Sequence, residues 1–225
     1  MSEALLDYED LVLEFIHEYL DKNRNFNSKK IIPFLNSRIA KSSININVSG
    51  IKAILSRLVK KNIIVEGSKL TKDDVLLNTN RNDIYDFILH NPGIYFNKIV
   101  NKLKLSISVV EWHLNILMKF DFIRKEKINS HETYFDIKVK PQDKLIIHLL
   151  SREKCIQIVD YLKLNNEGIS KYQLSEELGM HPNTINKYIN KLFELGLLSK
   201  KALSNKTLYF LNIDLYEELK NKFYQ

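Results

Sequence analysis

The feature that most restricts what this chain can become is an internal repeat. A displacement of 75 residues lays Gly93-Ile94 on Gly168-Ile169, Leu103 on Leu178, Asn115 on Asn190, Leu117 on Leu192, Lys125 on Lys200 and Tyr134-Phe135 on Tyr209-Phe210, with no gap. Where identity is lost, apolar character persists: Ile84 matches Val159, Ile99 matches Leu174, Val110 matches Ile185, Leu114 matches Ile189, and Phe122-Ile123 matches Leu197-Leu198. Core positions kept at one fixed offset mean one small fold written twice.

Inside each copy the apolar spacing changes in a set order. In the earlier copy Ile84, Phe87 and Ile88 lie at i, i+3 and i+4, which predicts a helix closed by the breaker His90-Asn91-Pro92-Gly93. A short helix over Phe96–Leu103 follows, turning Ile99, Val100 and Leu103 inward. Ser106 then stands as N-cap to a third helix over Ile107–Lys119, with Val110, His113, Leu114 and Leu117 on one face. Phe122–Lys127 and Thr133–Ile137 read as strands joined by Asn129-Ser130-His131.

The later copy repeats the plan. Ser151 is expected to cap a helix from Arg152 to Lys163, and a second helix covers Lys171–Leu178. Gly179 supplies a permissive turn, and Pro182 opens a last helix that runs to Leu195 and stops at Gly196. Strands are expected at Leu197–Lys201 and Thr207–Asn212 around the tip Ser204-Asn205-Lys206.

Residues 1–78 fit less closely. A displacement of 59 residues places Ile51, Leu55, Leu58 and Ile63-Ile64 on Val110, Leu114, Leu117 and Phe122-Ile123. Helices are expected over Asp10–Leu20, Lys29–Ser37 and Val48–Lys60, with a strand at Ile63-Ile64-Val65 and a weak second strand after Gly67-Ser68. The expected architecture is mainly α with small β-hairpin wings: tandem winged helix-turn-helix domains at residues 1–78, 79–140 and 141–225. The aliphatic stretch Pro141–Leu150 opens the last domain, as a helix that either packs the copies together or makes a dimer contact.

The residues Gly93-Ile94, Leu105-Ser106, Val110-Glu111-Trp112-His113-Leu114, Leu117 and Phe122-Ile123 resemble archaeal ArsR-like winged helix-turn-helix regulators, in which a Leu-Ser turn and a V-E-x-H-L helix recur. The stretch from Lys144-Leu145-Ile146 through Arg152-Glu153-Lys154 to Tyr209-Phe210 is similar to the second unit of tandem proteins of that kind. This resemblance covers residues 81–215 and implies a cytoplasmic transcriptional regulator that reads double-stranded DNA.

In such a fold the third helix enters the major groove and the hairpin tip touches backbone. In the last copy that helix exposes Asn183, Thr184, Asn186, Lys187, Asn190 and Lys191, and amides pair with an adenine edge through donor and acceptor together. In the middle copy it presents Ser108, Val109, Glu111, Trp112, Asn115 and Lys119; Trp112 either meets a thymine methyl or is covered by a partner domain or subunit. Ser49, Lys52, Ser56, Arg57 and Lys60 of the first copy are basic enough for phosphate contact but read rather as solvated surface. Lys125, Lys127, Lys200, Lys201 and Lys206 on the strands are candidates for phosphate neutralisation, and so are Asn97, Lys98, Ser170 and Lys171 at the starts of the second helices.

Composition narrows the remaining options. The net charge of +7 is spread over all three segments, so it favours an anionic partner only weakly. The single cysteine, Cys155, excludes an internal disulfide or a thiolate cluster, and the six histidines show no metal-ligand spacing. No metal, cofactor or catalytic constellation is expected. The start Met1-Ser2-Glu3-Ala4 lacks the basic flank of a signal peptide, and no apolar run is long enough to span a bilayer. The competing expectation is a protein-interaction scaffold of stacked winged helices, as in endosomal sorting complexes or polymerase subunits, with its third helices facing protein or a second copy of the chain.

Overall fold

The computed structural model describes residues 2–42, 46–128 and 131–223, with side chains from residue 8 onward. Of the expected connection Asn129-Ser130-His131, Asn129 and Ser130 lie outside the described residues. The chain is mainly helical with small antiparallel sheets. Its order is α1 (Ser2–Lys22), α2 (Ile31–Ile39), α3 (Val48–Lys60), α4 (Lys72–Val75), α5 (Thr79–His90), β1 (Ile94–Tyr95), α6 (Phe96–Leu103), α7 (Ile107–Lys119), β2 (Ile123–Ile128) and β3 (His131–Asp136). After a 3-10 turn at Pro141–Asp143 come α8 (Lys144–Leu150), α9 (Glu153–Leu164), α10 (Lys171–Leu178), α11 (Pro182–Glu194), β4 (Leu198–Ala202), β5 (Thr207–Leu211) and α12 (Ile213–Phe223). The strands form a three-stranded sheet, β1-β3-β2, and a two-stranded sheet, β4-β5.

The offset of 75 holds in three dimensions. Ile94 pairs antiparallel with Tyr134, and Ile169 bridges Tyr209 in the same way. At Gly93 (φ +78°) a Cβ would meet the Phe135 ring at 3.2 Å; at Gly168 (φ +81°) it would meet the Phe210 ring at 2.4 Å. Both sites therefore need glycine twice over, for the left-handed backbone and for the ring that lies against it. The turn after the second helix also repeats, with Lys104 (φ +54°) and Gly179 (φ +57°) in the left-handed region. So does the exit from the third helix, at Asn62 (φ +51°), Asp121 (φ +54°) and Gly196 (φ +75°). Asn62 stands 59 residues before Asp121, the offset that relates residues 1–78 to the next copy.

By compactness the chain divides into two units, Met1–Tyr85 with Ser106–Phe122 and Asp86–Leu105 with Ile123–Gln225. This division differs from the sequence repeats at 78 and 140. In the first unit, Ile16, Phe26, Leu35, Ile51, Leu55 and Leu58 of α1 to α3 and the α1–α2 connection share one core. Glu9 on α1 forms ion pairs with Arg57 (3.0 Å) and Lys61 (3.3 Å), so Arg57 is engaged internally. The expected strand at Ile63-Ile64-Val65 is reduced to one bridge, Ile64 to Thr71. The reason is local: the Asp74 carboxylate accepts from Thr71 N–H (2.9 Å) and Oγ1–H (2.8 Å), drawing the chain into α4 instead of a second strand.

In the second unit Ile146, Ile147, Leu149 and Leu150 of α8 are buried in one cluster with Phe135 and Val139 from the β2-β3 side and with Ile158, Ile185 and Leu192 from α9 and α11. Glu126 on β2 pairs with Arg124 (3.0 Å) and with Lys144 of α8. The physical reason the compact units ignore the boundary at 140 is that this shared core crosses it. Ser151 does not cap α9: its hydroxyl donates to the His148 carbonyl (2.9 Å), and Arg152 occupies the cap position without a side-chain bond. Sequence patterning also left out α12, whose Leu215, Leu219 and Phe223 recur at intervals of four and pack on the same core.

Candidate nucleic-acid interface

The last copy builds a helix-turn-helix within one unit. Ser170 and Gln173 close a capping box at the start of α10. Its end turns through Gly179, and the His181 Nδ1 accepts from Asn183 N–H (3.2 Å) to start α11 at Pro182. Ile185, Ile189 and Leu192 are buried beneath α11. At 3.6 residues per turn the opposite side carries Asn183, Asn186, Asn190 and Lys187, all exposed.

The structure sets three of the six predicted α11 residues against neighbouring elements, Asn190 on one flank and Lys187 and Lys191 on the other. On one flank Lys171 of α10 donates to Asn190 Oδ1 (2.9 Å) and lies 5.4 Å from the centre of the Tyr209 ring on β5. One lysine thus ties α10, α11 and the hairpin together, and it occupies the acceptor side of the Asn190 amide. The Asn190 Oδ1 keeps a second lone pair, so its amide can still meet N6 and N7 of an adenine while Lys171 fixes its orientation. Lys200 of β4 lies 4.8 Å from the Phe193 ring centre, which holds the hairpin beside α11, while Lys201 and Lys206 are exposed.

On the other flank Lys187 and Lys191 line a cleft of about 500 Å³ formed with Arg152, His148, His131 and Leu145. Thr184 is half-buried. The Arg152 guanidinium donates to His148 Nε2 (3.0 Å) and stacks 4.7 Å from the Tyr95 ring centre. His148 is 4% exposed, and its pKa falls to about 4 because burial and then Arg152, Lys191 and His131 disfavour the imidazolium. Burial with too little compensation also raises the Tyr95 phenol.

In the other unit α7 starts at Ser106, whose hydroxyl accepts from Val109 N–H (3.4 Å). Ser108, Trp112 and Asn115 are exposed, Trp112 at 57%. Arg81 of α5 lies 5.7 Å from the centre of the Trp112 ring and is itself only 4% exposed. Among the described residues its Nε and Nη1 have no hydrogen-bond partner, and neither does Nδ1 of the neighbouring buried His113. Burial lowers the pKa of Arg81; burial and then Arg81 lower that of His113. In the second unit, Lys125 on β2 pairs with Glu132 (3.0 Å), so its charge is already partly answered, whereas Lys127 is exposed. Cys155 is fully buried and its thiol is pushed up to about 12, leaving a small neutral hydrophobe.

Sequence reasoning missed Arg81 and the Tyr95–His148–Arg152 cluster. His148 and Arg152 stand at i, i+4, as do Lys187 and Lys191, and that spacing was the available signal. Among the described residues no three His, Cys, Asp or Glu side chains gather closely enough to hold a metal ion, and no helix is long and apolar enough to cross a membrane.

Residues 78–147 match a family described as an N-terminal HTH domain. The chain is 29% identical over 154 residues to an uncharacterized HTH-type transcriptional regulator of Methanocaldococcus jannaschii; the match takes in 68% of this chain and 39% of that protein's length. Two structures of the ESCRT-II endosomal trafficking complex align at 12% identity and a TM-score of 0.25, covering 93% and 95% of this chain and 90% and 92% of theirs. The chain therefore carries a helix-turn-helix domain and has a distant homologue that bears a regulator's name.

Proposed function

We propose that this protein is a cytoplasmic regulator of transcription that binds double-stranded DNA by inserting α11 into the major groove. The observation that carries the reading is the amide row Asn183, Asn186 and Asn190 on the outer face of a helix-turn-helix, flanked by the hairpin lysines Lys200, Lys201 and Lys206. Amides read a base edge without bringing repulsion, and lysines neutralise the adjoining phosphates. The finer placement among archaeal ArsR-like regulators rests on the Leu105-Ser106 turn and the Val110–Leu114 run. The protein acts in this reading by binding alone, with no catalytic step or cofactor. The experiment is a binding selection on random duplexes with the intact chain and with a variant carrying Asn183→Ala, Asn186→Ala and Asn190→Ala. The expected result is loss of sequence preference with nonspecific affinity retained; an unchanged preference rejects α11 as the reader.

A second reading applies to α7. Ile107 and Trp112 are 63% and 57% exposed on a helix that also exposes Glu111, a surface suited to protein, a second copy of the chain included. Trp112 is the single tryptophan. Quenching of its fluorescence by duplex DNA places α7 on nucleic acid, whereas a signal that shifts with protein concentration alone places it at a subunit contact.

A further inference from the structure

The cleft beside α11 has a composition that DNA reading does not explain. Its volume of about 500 Å³ is that of a small-molecule site. Three permanent cations line it, Arg152, Lys187 and Lys191, against one carboxylate, Glu194. Leu149, Leu195 and the Tyr188 ring give it an apolar wall, and Leu145 is left 60% exposed at its edge. A contact for backbone phosphate needs cations on an open surface, not a concavity lined with leucine.

The buried imidazole adds an independent observation. Arg152 can only donate, so the His148 Nε2 at 3.0 Å must accept, and the ring proton of the neutral tautomer sits on Nδ1. The neutral ring thus holds the Arg152 guanidinium at the cleft wall, where it also lies over the Tyr95 ring.

We propose that this cleft binds a small organic anion, with its acidic head among Arg152, Lys187 and Lys191 and its apolar body against Leu149 and Tyr188. The site goes beyond DNA reading and stands without it. Where α11 does read DNA, the two functions share a helix, because Lys187 and Lys191 belong to the one face and Asn183 and Asn186 to the next.

The test is calorimetric titration of the intact chain with phenyl phosphate, benzoate, inorganic phosphate and phenol. Saturable one-to-one binding of phenyl phosphate or benzoate is expected, and the stronger of the two identifies the head group. Phenol and inorganic phosphate should each bind at least tenfold more weakly. Lys187→Gln and Lys191→Gln should together weaken the aryl anion at least tenfold. No saturable binding by either aryl anion, equal binding of inorganic phosphate, or binding unaffected by the two glutamines overturns the proposal. The triple alanine variant separates the two readings: it should keep the anion while losing sequence preference, and failure of either measurement alone rejects only the function it reports.

Discussion

His148 is a neutral ring enclosed by positive charge, which makes the fold sensitive to acid. The folded chain holds this imidazole near 4, against an ordinary value of 6.5. Its contribution to stability is therefore complete above pH 6.5 and is lost as pH falls toward 4. Linkage puts the loss at about 2 kcal/mol by pH 5. Urea unfolding at pH 7 and pH 5 should show that difference, and His148→Gln, which cannot titrate, should remove most of it. The glycines give a second prediction at this scale. Gly168→Ala drives a methyl into the Phe210 ring at a positive φ, whereas Gly179→Ala meets nothing within 4 Å. The first should cost about 2–4 kcal/mol and the second about 1 kcal/mol, read from chemical denaturation. Gly168 was visible in the sequence as the glycine aligned with Gly93, but its reason was not, since Phe210 comes from a strand 42 residues away.

Elements whose limits follow from local chemistry were legible; those decided by distant partners were not. The helices at Phe96–Leu103, Ile107–Lys119 and Lys171–Leu178 have the limits that their caps and apolar faces predict. Ile63-Ile64-Val65 has the composition of a strand, yet Thr71 and Asp74 commit its would-be partner to a helix turn. The amide face of α11 was legible because 3.6-residue periodicity sorts inside from outside. Its division into a Lys171-bound flank and a cleft-facing flank was not, because that depends on α8, α9 and α10. The turn between the second and third helices supports a prediction of its own. Lys104 adopts at φ +54° a backbone that the later copy gives to Gly179. Lys104→Gly should raise stability by about 0.5–1 kcal/mol in equilibrium unfolding, the relief of the left-handed strain exceeding the added chain entropy.

For the whole molecule the decisive measure is how binding responds to salt, since a net charge of +7 says little about where the charge acts. Each lysine that touches a phosphate adds about 0.9 to the slope of log affinity against log salt. Replacing Lys200, Lys201 and Lys206 together by Gln should lower that slope by about 2–3, measured by fluorescence anisotropy over a salt series. Lys125→Gln, removing a charge already paired with Glu132, should change it by less than about 0.5. The repeats were legible as units of sequence, whereas the compact units were not, because burial of α8 is written in residues on both sides of position 140. That helix has a consequence for how such a chain can be rearranged. Severed before Pro141, the pieces would leave Phe135 on one fragment and Ile147 on the other, each facing water, so neither should stay in solution alone although both should when co-expressed. The duplicated modules are no longer interchangeable cassettes: any recombination that trades one for another has to carry the seam along with it.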